Sequence, residues 1–329
     1  MNLEDYNYNL PKELIAQKPK KERCDSRLMV VHENRVEHCH FRDIVDYLRK
    51  GDVLVVNESR VVPAKLIGKK ETGGNVQLVI TGRSGKFHTT ICSRRIKVGS
   101  VLLFGPVKAR VLEKHDNFVL IDFNPSLTSA LLKKVGKLPI PPYIKNYSGD
   151  EECYQTVYGK RLGSIAAHTA GLHFTNALLN EIKKKGVKIA KVCLHISYST
   201  FFPIKGSIEN HKMHPEVCFI NRKNAKIINN RKGRLFCVGT TVVKTLESLS
   251  DYEGRIIPGK KESNLFLHPT YSFKTKIDGL ITNFHLPKST LILLVSAYYG
   301  RKNILRIYRE AIKKKYRFYS FGDAMLLLQ

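Results

Sequence analysis

The sequence predicts a layered α/β main domain carrying an inserted small antiparallel β-barrel domain. Three observations predict it. Helix-spaced and strand-like apolar segments alternate towards both ends of the chain; the middle holds only short β-rich runs; and a proline cluster follows those runs. The expected division is a discontinuous main domain, 1–62 plus 149–329, interrupted by a barrel over 63–148.

In the first part, Arg27-Leu28-Met29-Val30-Val31 reads as a short buried strand. Phe41, Ile44, Val45 and Leu48 follow at helical spacing, and Gly51-Asp52 opens the strand Val53-Leu54-Val55-Val56. After Pro63 the texture changes. Segments 76–80, 87–92, 101–104, 109–112 and 118–123 are rich in β-branched and aromatic residues, separated by turn-forming residues at intervals of roughly ten positions, as in a small barrel or sandwich. Leu138-Pro139-Ile140-Pro141-Pro142-Tyr143 cannot continue a helix or a central strand and reads as a stiff connector. Beyond it, Thr175 is placed to cap a helix whose Leu178, Leu179 and Ile182 share one face and which ends at Gly186. A strand over 187–196, a buried strand Leu235-Phe236-Cys237-Val238 running directly into Gly239-Thr240-Thr241 and a helix, a strand over 277–282 and a helix over 289–299 complete the alternation.

The 329 residues hold 56 Lys plus Arg against 28 Asp plus Glu, a formal charge of +28. That excess suits a polyanionic partner such as nucleic acid, although a Lys-rich proteome would produce it too. The apolar run 291–295 is far shorter than the ~18 residues of a membrane span. The acidic start Met1-Asn2-Leu3-Glu4-Asp5 does not resemble a signal peptide, so no membrane association is expected. Seven scattered cysteines with no C-x-x-C spacing read as reduced thiols of a cytoplasmic protein. His38-Cys39-His40 alternates across a strand without a partner pair at ligand spacing, so no metal site is expected.

Two segments look built for anions. Over 163–175, small residues dominate and lead into a helix, with Gly163, Ser164, Thr169 and Gly171 free to bring backbone N–H groups close to a ligand. Gly239, Thr240 and Thr241 repeat the theme at the next strand-to-helix turn. A tightly packed turn is the plain structural alternative. Neither segment is a Walker P-loop or a dinucleotide fingerprint.

Several longer blocks occur in order: Asn57-Glu58-Ser59-Arg60-Val61-Val62-Pro63-Ala64, the proline-rich connector, Tyr154-Gln155-Thr156-Val157-Tyr158, the 163–175 segment, Val238-Gly239-Thr240-Thr241, Thr282-Asn283-Phe284-His285-Leu286-Pro287-Lys288 and Ser320-Phe321-Gly322-Asp323-Ala324. In these the chain resembles the S-adenosylmethionine:tRNA ribosyltransferase-isomerase family of the queuosine pathway, nearly end to end and least across 75–135. The resemblance implies an α/β catalytic domain with an inserted barrel and no metal. It implies transfer and isomerisation of the ribosyl group of S-adenosylmethionine onto the aminomethyl group of 7-aminomethyl-7-deazaguanine at the tRNA wobble position, giving epoxyqueuosine-tRNA, adenine and methionine. The partners expected are S-adenosylmethionine and a tRNA, for a monomeric enzyme. Alternatives from other classes are a basic RNA-binding homologue without catalysis or with a shifted substrate, and a plain methyltransferase, which the missing Gly-rich loop disfavours.

Such chemistry needs a base for the ribose carbon next to the sulfonium, a proton donor for departing adenine, and an acceptor that keeps the attacking amine neutral. His173, His195, His214 and His285 are the candidate proton-transfer residues, with Glu58 and Asp323 as carboxylate alternatives. Each histidine has a structural reading as well, and the two carboxylates have one as partners of Arg60 or Arg317. Asn283 is a candidate reader of a base edge, Tyr154, Tyr158 and Phe284 candidates for stacking, and Lys288 for a phosphate. The chain departs from the family pattern at His168, where proline is usual; at Ser197 and Ser199, where glycines are; at Cys153, for arginine; and at Gln77, for an acidic residue. These departures bear on the shape of the S-adenosylmethionine pocket.

Overall fold

Neighbouring side chains of the central strands enter opposite apolar layers, as period-two backbone geometry requires. Leu28 and Val30 lie in one layer, Met29 and Val31 in the other; Leu54 and Val56 oppose Val53 and Val55 in the same way. A strand buried on both faces reads as an unbroken apolar run, which is why these segments carry no polar alternation.

The computed structural model describes residues 1–92, 96–145, 147, 149–201, 204 and 206–329, without the side chains of Ser199 and Phe201. It divides into two compact units, Met1–Arg60 with Pro141–Gln329, and Val61–Ile140. The expected joint at 148/149 touches Ser148, which lies outside the described residues, as does the side chain of Ser199.

In chain order, β1 (Arg27–Val31), β2 (Val36–His40) and β3 (Val53–Asn57) precede the short β4 (Ser59–Val61). The smaller unit holds β5 (Lys65–Lys70), β6 (Asn75–Ser84), β7 (Phe87–Cys92), β8 (Val101–Phe104), β9 (Val107–His115) and β10 (Phe118–Asn124), then helix α1 (Ser129–Val135) and β11 (Gly136–Lys137). Its sheet runs β11-β5-β6-β7-β10-β9-β8, and β8 pairs back onto β5, closing a six-stranded antiparallel barrel. Alternate residues of β9, Val107, Ala109 and Val111, fill the interior.

The larger unit continues with β12 (Arg161–Ser164), α2 (Asn176–Lys184), β13 (Lys188–Leu194), β14 (Glu216–Ile220), α3 (Arg222–Asn229), β15 (Leu235–Val238), α4 (Thr240–Ser248), β16 (Gly259–Ser263), β17 (Gly279–Asn283), α5 (Thr290–Tyr299), α6 (Arg301–Lys313) and β18 (Ala324–Leu328). Its nine-stranded sheet has the order β16-β14-β13-β3-β15-β17-β18-β1-β2. The centre, β13-β3-β15-β17, is parallel, so four carboxyl ends point the same way. Helices α4 and α5 cover one face through Val242, Val243, Leu246 and 292–295, and α2 covers the other through Leu178, Leu179 and Ile182. The structure is thus a layered α/β main unit with a small antiparallel barrel inserted in sequence between its two segments.

Local signals explain the boundaries. Thr175 accepts the Leu178 N–H at 3.1 Å and Ser289 the Ile292 N–H at 3.3 Å, so both hydroxyls cap the helices that follow them. Phe41, Ile44 and Val45 bury one face as expected, but the segment Phe41–Tyr47 is a 3₁₀ rather than an α-helix.

Candidate active site

Ile196, Gly239 and Phe284, just beyond the carboxyl ends of β13, β15 and β17, line a cleft that opens to solvent. Ligands of open parallel sheets bind at this edge because the loops and helix N-termini converge there. Tyr154, Thr169, Gly239, Thr240, Thr241, Asn283 and His285, from four separate sequence blocks, all line it. Apolar Ile196, Leu265, Leu267, Leu286 and Leu294 supply much of the remaining wall.

Gly239 sits at the N-cap of α4 with φ +87°, a conformation that favours glycine, and no side chain caps the helix there. The N-terminus of α4 therefore faces the cleft with its positive dipole end uncovered by a side chain.

His285 is anchored through its backbone. Its N–H donates to the Tyr308 hydroxyl at 3.0 Å, its carbonyl accepts from the Tyr8 hydroxyl, and its Nε2 lies 3.0 Å from Thr282 Oγ1. Burial lowers its pKa to about 3, so the imidazole is neutral at pH 7. Asn283 is held by donation from Nδ2 to the Tyr319 carbonyl at 3.0 Å. The Tyr154 hydroxyl is buried in the wall, and burial raises its pKa.

The other candidates lie elsewhere. His195 is half-buried and does not line the cleft, with Nδ1 2.7 Å from Ser59 Oγ; Ser59 Oγ is in turn 2.7 Å from Ser164 Oγ, and Gly163 backs onto the His195 ring. Burial first, then Arg161 and Lys260, lower the His195 pKa. His173 stacks on Phe41 at 4.8 Å and borders a separate, smaller depression with Lys20, Lys21 and Arg23. Burial lowers its pKa to about 4, with Asn283 opposing the shift. His214 is exposed. Gly171 and Tyr158 form a packing pair, since a Cβ on Gly171 would stand 2.1 Å from the Tyr158 hydroxyl oxygen. Tyr158 belongs to the core against Phe174, and Phe284 to a cluster with Tyr308, Tyr316 and Phe318, so neither ring is free to stack on a base. Lys288 pairs with Glu4 at 3.0 Å.

The two carboxylates form different contacts from those the sequence suggests. Glu58 pairs with Arg161 at 2.8 Å, while Arg60 reaches Glu152. Asp323, fully buried, accepts the backbone N–H groups of Arg27 and Arg317 at 3.0 and 2.8 Å rather than a guanidinium. Neither lines the cleft. Among the described residues, no group of three or more His, Cys, Asp or Glu is arranged to hold a metal.

Sequence reasoning marked His168 only as a departure bearing on the pocket's shape, and missed two further features of the wall. His168 lines the cleft with its Nδ1 2.9 Å from Asn57 Nδ2. Glu216 and Lys244 form a buried ion pair at 2.8 Å. Tyr143 closes one side and hydrogen-bonds Ser320 at 2.6 Å. The available signals were a histidine among small residues, and a lysine inside the apolar run Val242-Val243-Lys244-Thr245-Leu246.

Comparison with known proteins agrees with this architecture. The family model described as a queuosine biosynthesis protein matches residues 3–327. Curated S-adenosylmethionine:tRNA ribosyltransferase-isomerases from Desulforamulus reducens and Staphylococcus haemolyticus are 43% and 44% identical, each over the whole of both chains. The crystal structure of an S-adenosylmethionine tRNA ribosyltransferase from Thermotoga maritima aligns with a TM-score of 0.57 at 33% identity, covering 98% of this chain and 100% of that one. With the family model spanning nearly the whole chain and full-length relatives well above 30% identity, the chain belongs to the queuosine biosynthesis family of S-adenosylmethionine:tRNA ribosyltransferase-isomerases.

Proposed function

We infer that the chain transfers and isomerises the ribosyl group of S-adenosylmethionine onto 7-aminomethyl-7-deazaguanine in the wobble position of a tRNA, releasing adenine and methionine. The observation that carries this reading is that four family blocks far apart in sequence supply one cleft at the carboxyl edge of the sheet. Apolar walls suit the adenosine, and the positive end of α4 suits an anionic end of the same molecule.

His285 is assigned the proton on the ribose carbon next to sulfur. It is the one candidate histidine that lines the cleft, and its ring is in the neutral form a base requires, although burial makes it a weaker base than a free imidazole. Asn283, at the same strand end, is assigned contact with a base edge. Catalysis belongs to the unit formed by Met1–Arg60 and Pro141–Gln329, which holds all the described residues that line the cleft. The net charge of +28 supports tRNA binding through phosphate contacts, with pockets reading the splayed anticodon nucleotide. Seven scattered cysteines with no C-x-x-C spacing support a reducing, cytoplasmic setting.

The test is adenine release from S-adenosylmethionine in the presence of tRNA carrying the aminomethyl-deazaguanine. Release that requires this tRNA and is lost in His285→Gln supports the assignment. Binding of the tRNA with no adenine release identifies an RNA-binding module instead, and S-adenosylhomocysteine as product identifies a methyltransferase.

A further inference from the structure

The orientation of the Asn57 side chain decides which nitrogen of His168 carries the proton. Asn57 Oδ1 accepts two backbone N–H groups, from Ser59 and Leu194, both at 3.1 Å. Its Nδ2 is therefore the donor, and it donates to the Leu194 carbonyl at 3.1 Å and to His168 Nδ1 at 2.9 Å. The Thr241 hydroxyl, 3.3 Å from the same nitrogen, is placed to donate as well. With Nδ1 accepting, the proton of the neutral ring resides on Nε2. That ring is 5% exposed and lines the cleft, yet Nε2 has no hydrogen-bond partner among the described residues. A buried N–H donor without an acceptor is costly, and such a group in a cleft wall points to a ligand acceptor.

We propose that the Nε2–H of His168 and the first backbone N–H groups of α4 together bind the carboxylate of an α-amino acid, the methionine end of S-adenosylmethionine. The proposal rests on the ribosyl-transfer reading for the identity of the ligand. Thr240 and Thr241 line the same cleft beside His168, so the side-chain donor and the uncapped helix end address one region. Burial holds the ring neutral, which leaves Nε2–H a donor throughout the physiological range. An amino acid fits this corner better than a phosphate because the charged residues of the wall, Glu216 and Lys244, neutralise each other at 2.8 Å, so the lining carries no surplus positive charge for a dianion and suits a zwitterion instead.

Equilibrium dialysis of the full chain with S-adenosylmethionine and with its decarboxylated analogue, with inorganic phosphate as competitor, tests this. In His168→Leu, binding of S-adenosylmethionine weakens roughly ten- to hundredfold while binding of the decarboxylated analogue is unchanged. His168→Gln, which extends an amide N–H from the same position, recovers part of the loss and covers the case in which the leucine variant fails to fold. Equal weakening of both ligands, no weakening of either, or displacement of S-adenosylmethionine by millimolar phosphate overturns the carboxylate assignment alone. Wild-type protein that binds neither nucleoside overturns the ribosyl-transfer reading as well.

Discussion

Lys244 and Glu216 meet at 2.8 Å in the cleft wall with side chains only 8% and 6% exposed, and Glu216 Oε1 also accepts the Ser197 N–H at 2.9 Å. Removing one member leaves the other charge buried without its counter-ion. Lys244→Met is expected to cost roughly 3–5 kcal/mol in urea unfolding, whereas Lys244→Met with Glu216→Leu regains most of it. A single variant as stable as wild type would mean that water reaches the pair.

Buried histidines make stability depend on pH, the most buried being His168, His173 and His285, with His88, His195 and His211 lowered in the same direction by burial. His168 and His285 are lowered to about 3 and His173 to about 4, all by burial first, against an ordinary 6.5. Between 6.5 and those values the unfolded chain binds more protons than the folded one. Stability is therefore complete above about pH 6.5 and falls as acid is added, by up to about 1.4 kcal/mol per pH unit for each ring. Glu37, lowered from 4.5, acts only at more acid pH, so loss between pH 6.5 and 5 reports the histidines. Urea midpoints flat across that interval would contradict the burial of these rings in neutral form.

Gly171 tests whether the small residues of 163–175 serve packing. The Tyr158 hydroxyl occupies the space that a side chain there would need, with 2.1 Å between Oη and an added Cβ. Gly171→Ala is expected to lower stability by roughly 1–3 kcal/mol, and Tyr158→Phe in the same chain to relieve part of that cost. Melting temperatures of the two variants measure it; an alanine variant as stable as wild type would show that the turn has room to shift.

Much of the fold was readable because its strands and helices announce themselves through burial. The runs at Leu28–Val31 and Val53–Val56 are apolar because both faces are covered, and Thr175 and Ser289 mark helix starts chemically. The edge was not readable: β16, Gly259-Lys260-Lys261-Glu262-Ser263, is mostly exposed and carries no apolar period, its place being set by pairing with β14. The site was readable only as a set of blocks. His173 and His285 are equivalent as sequence, and tertiary packing puts one against Phe41 and the other in the cleft wall. His168 showed in sequence only as an unusual residue, because its role depends on Asn57, 111 positions away.

The central claim is that one cleft, at the carboxyl ends of β13, β15 and β17, holds the sulfonium donor beside the flipped wobble nucleotide. A crystal structure with S-adenosylmethionine and an anticodon stem-loop bearing the aminomethyl-deazaguanine measures this most directly. The account predicts the donor's ribose next to His285, its carboxylate at the start of α4, and the aminomethyl group reaching the same cleft. Donor and nucleotide in separate cavities, or a donor lodged away from 239–241 and His285, would contradict it.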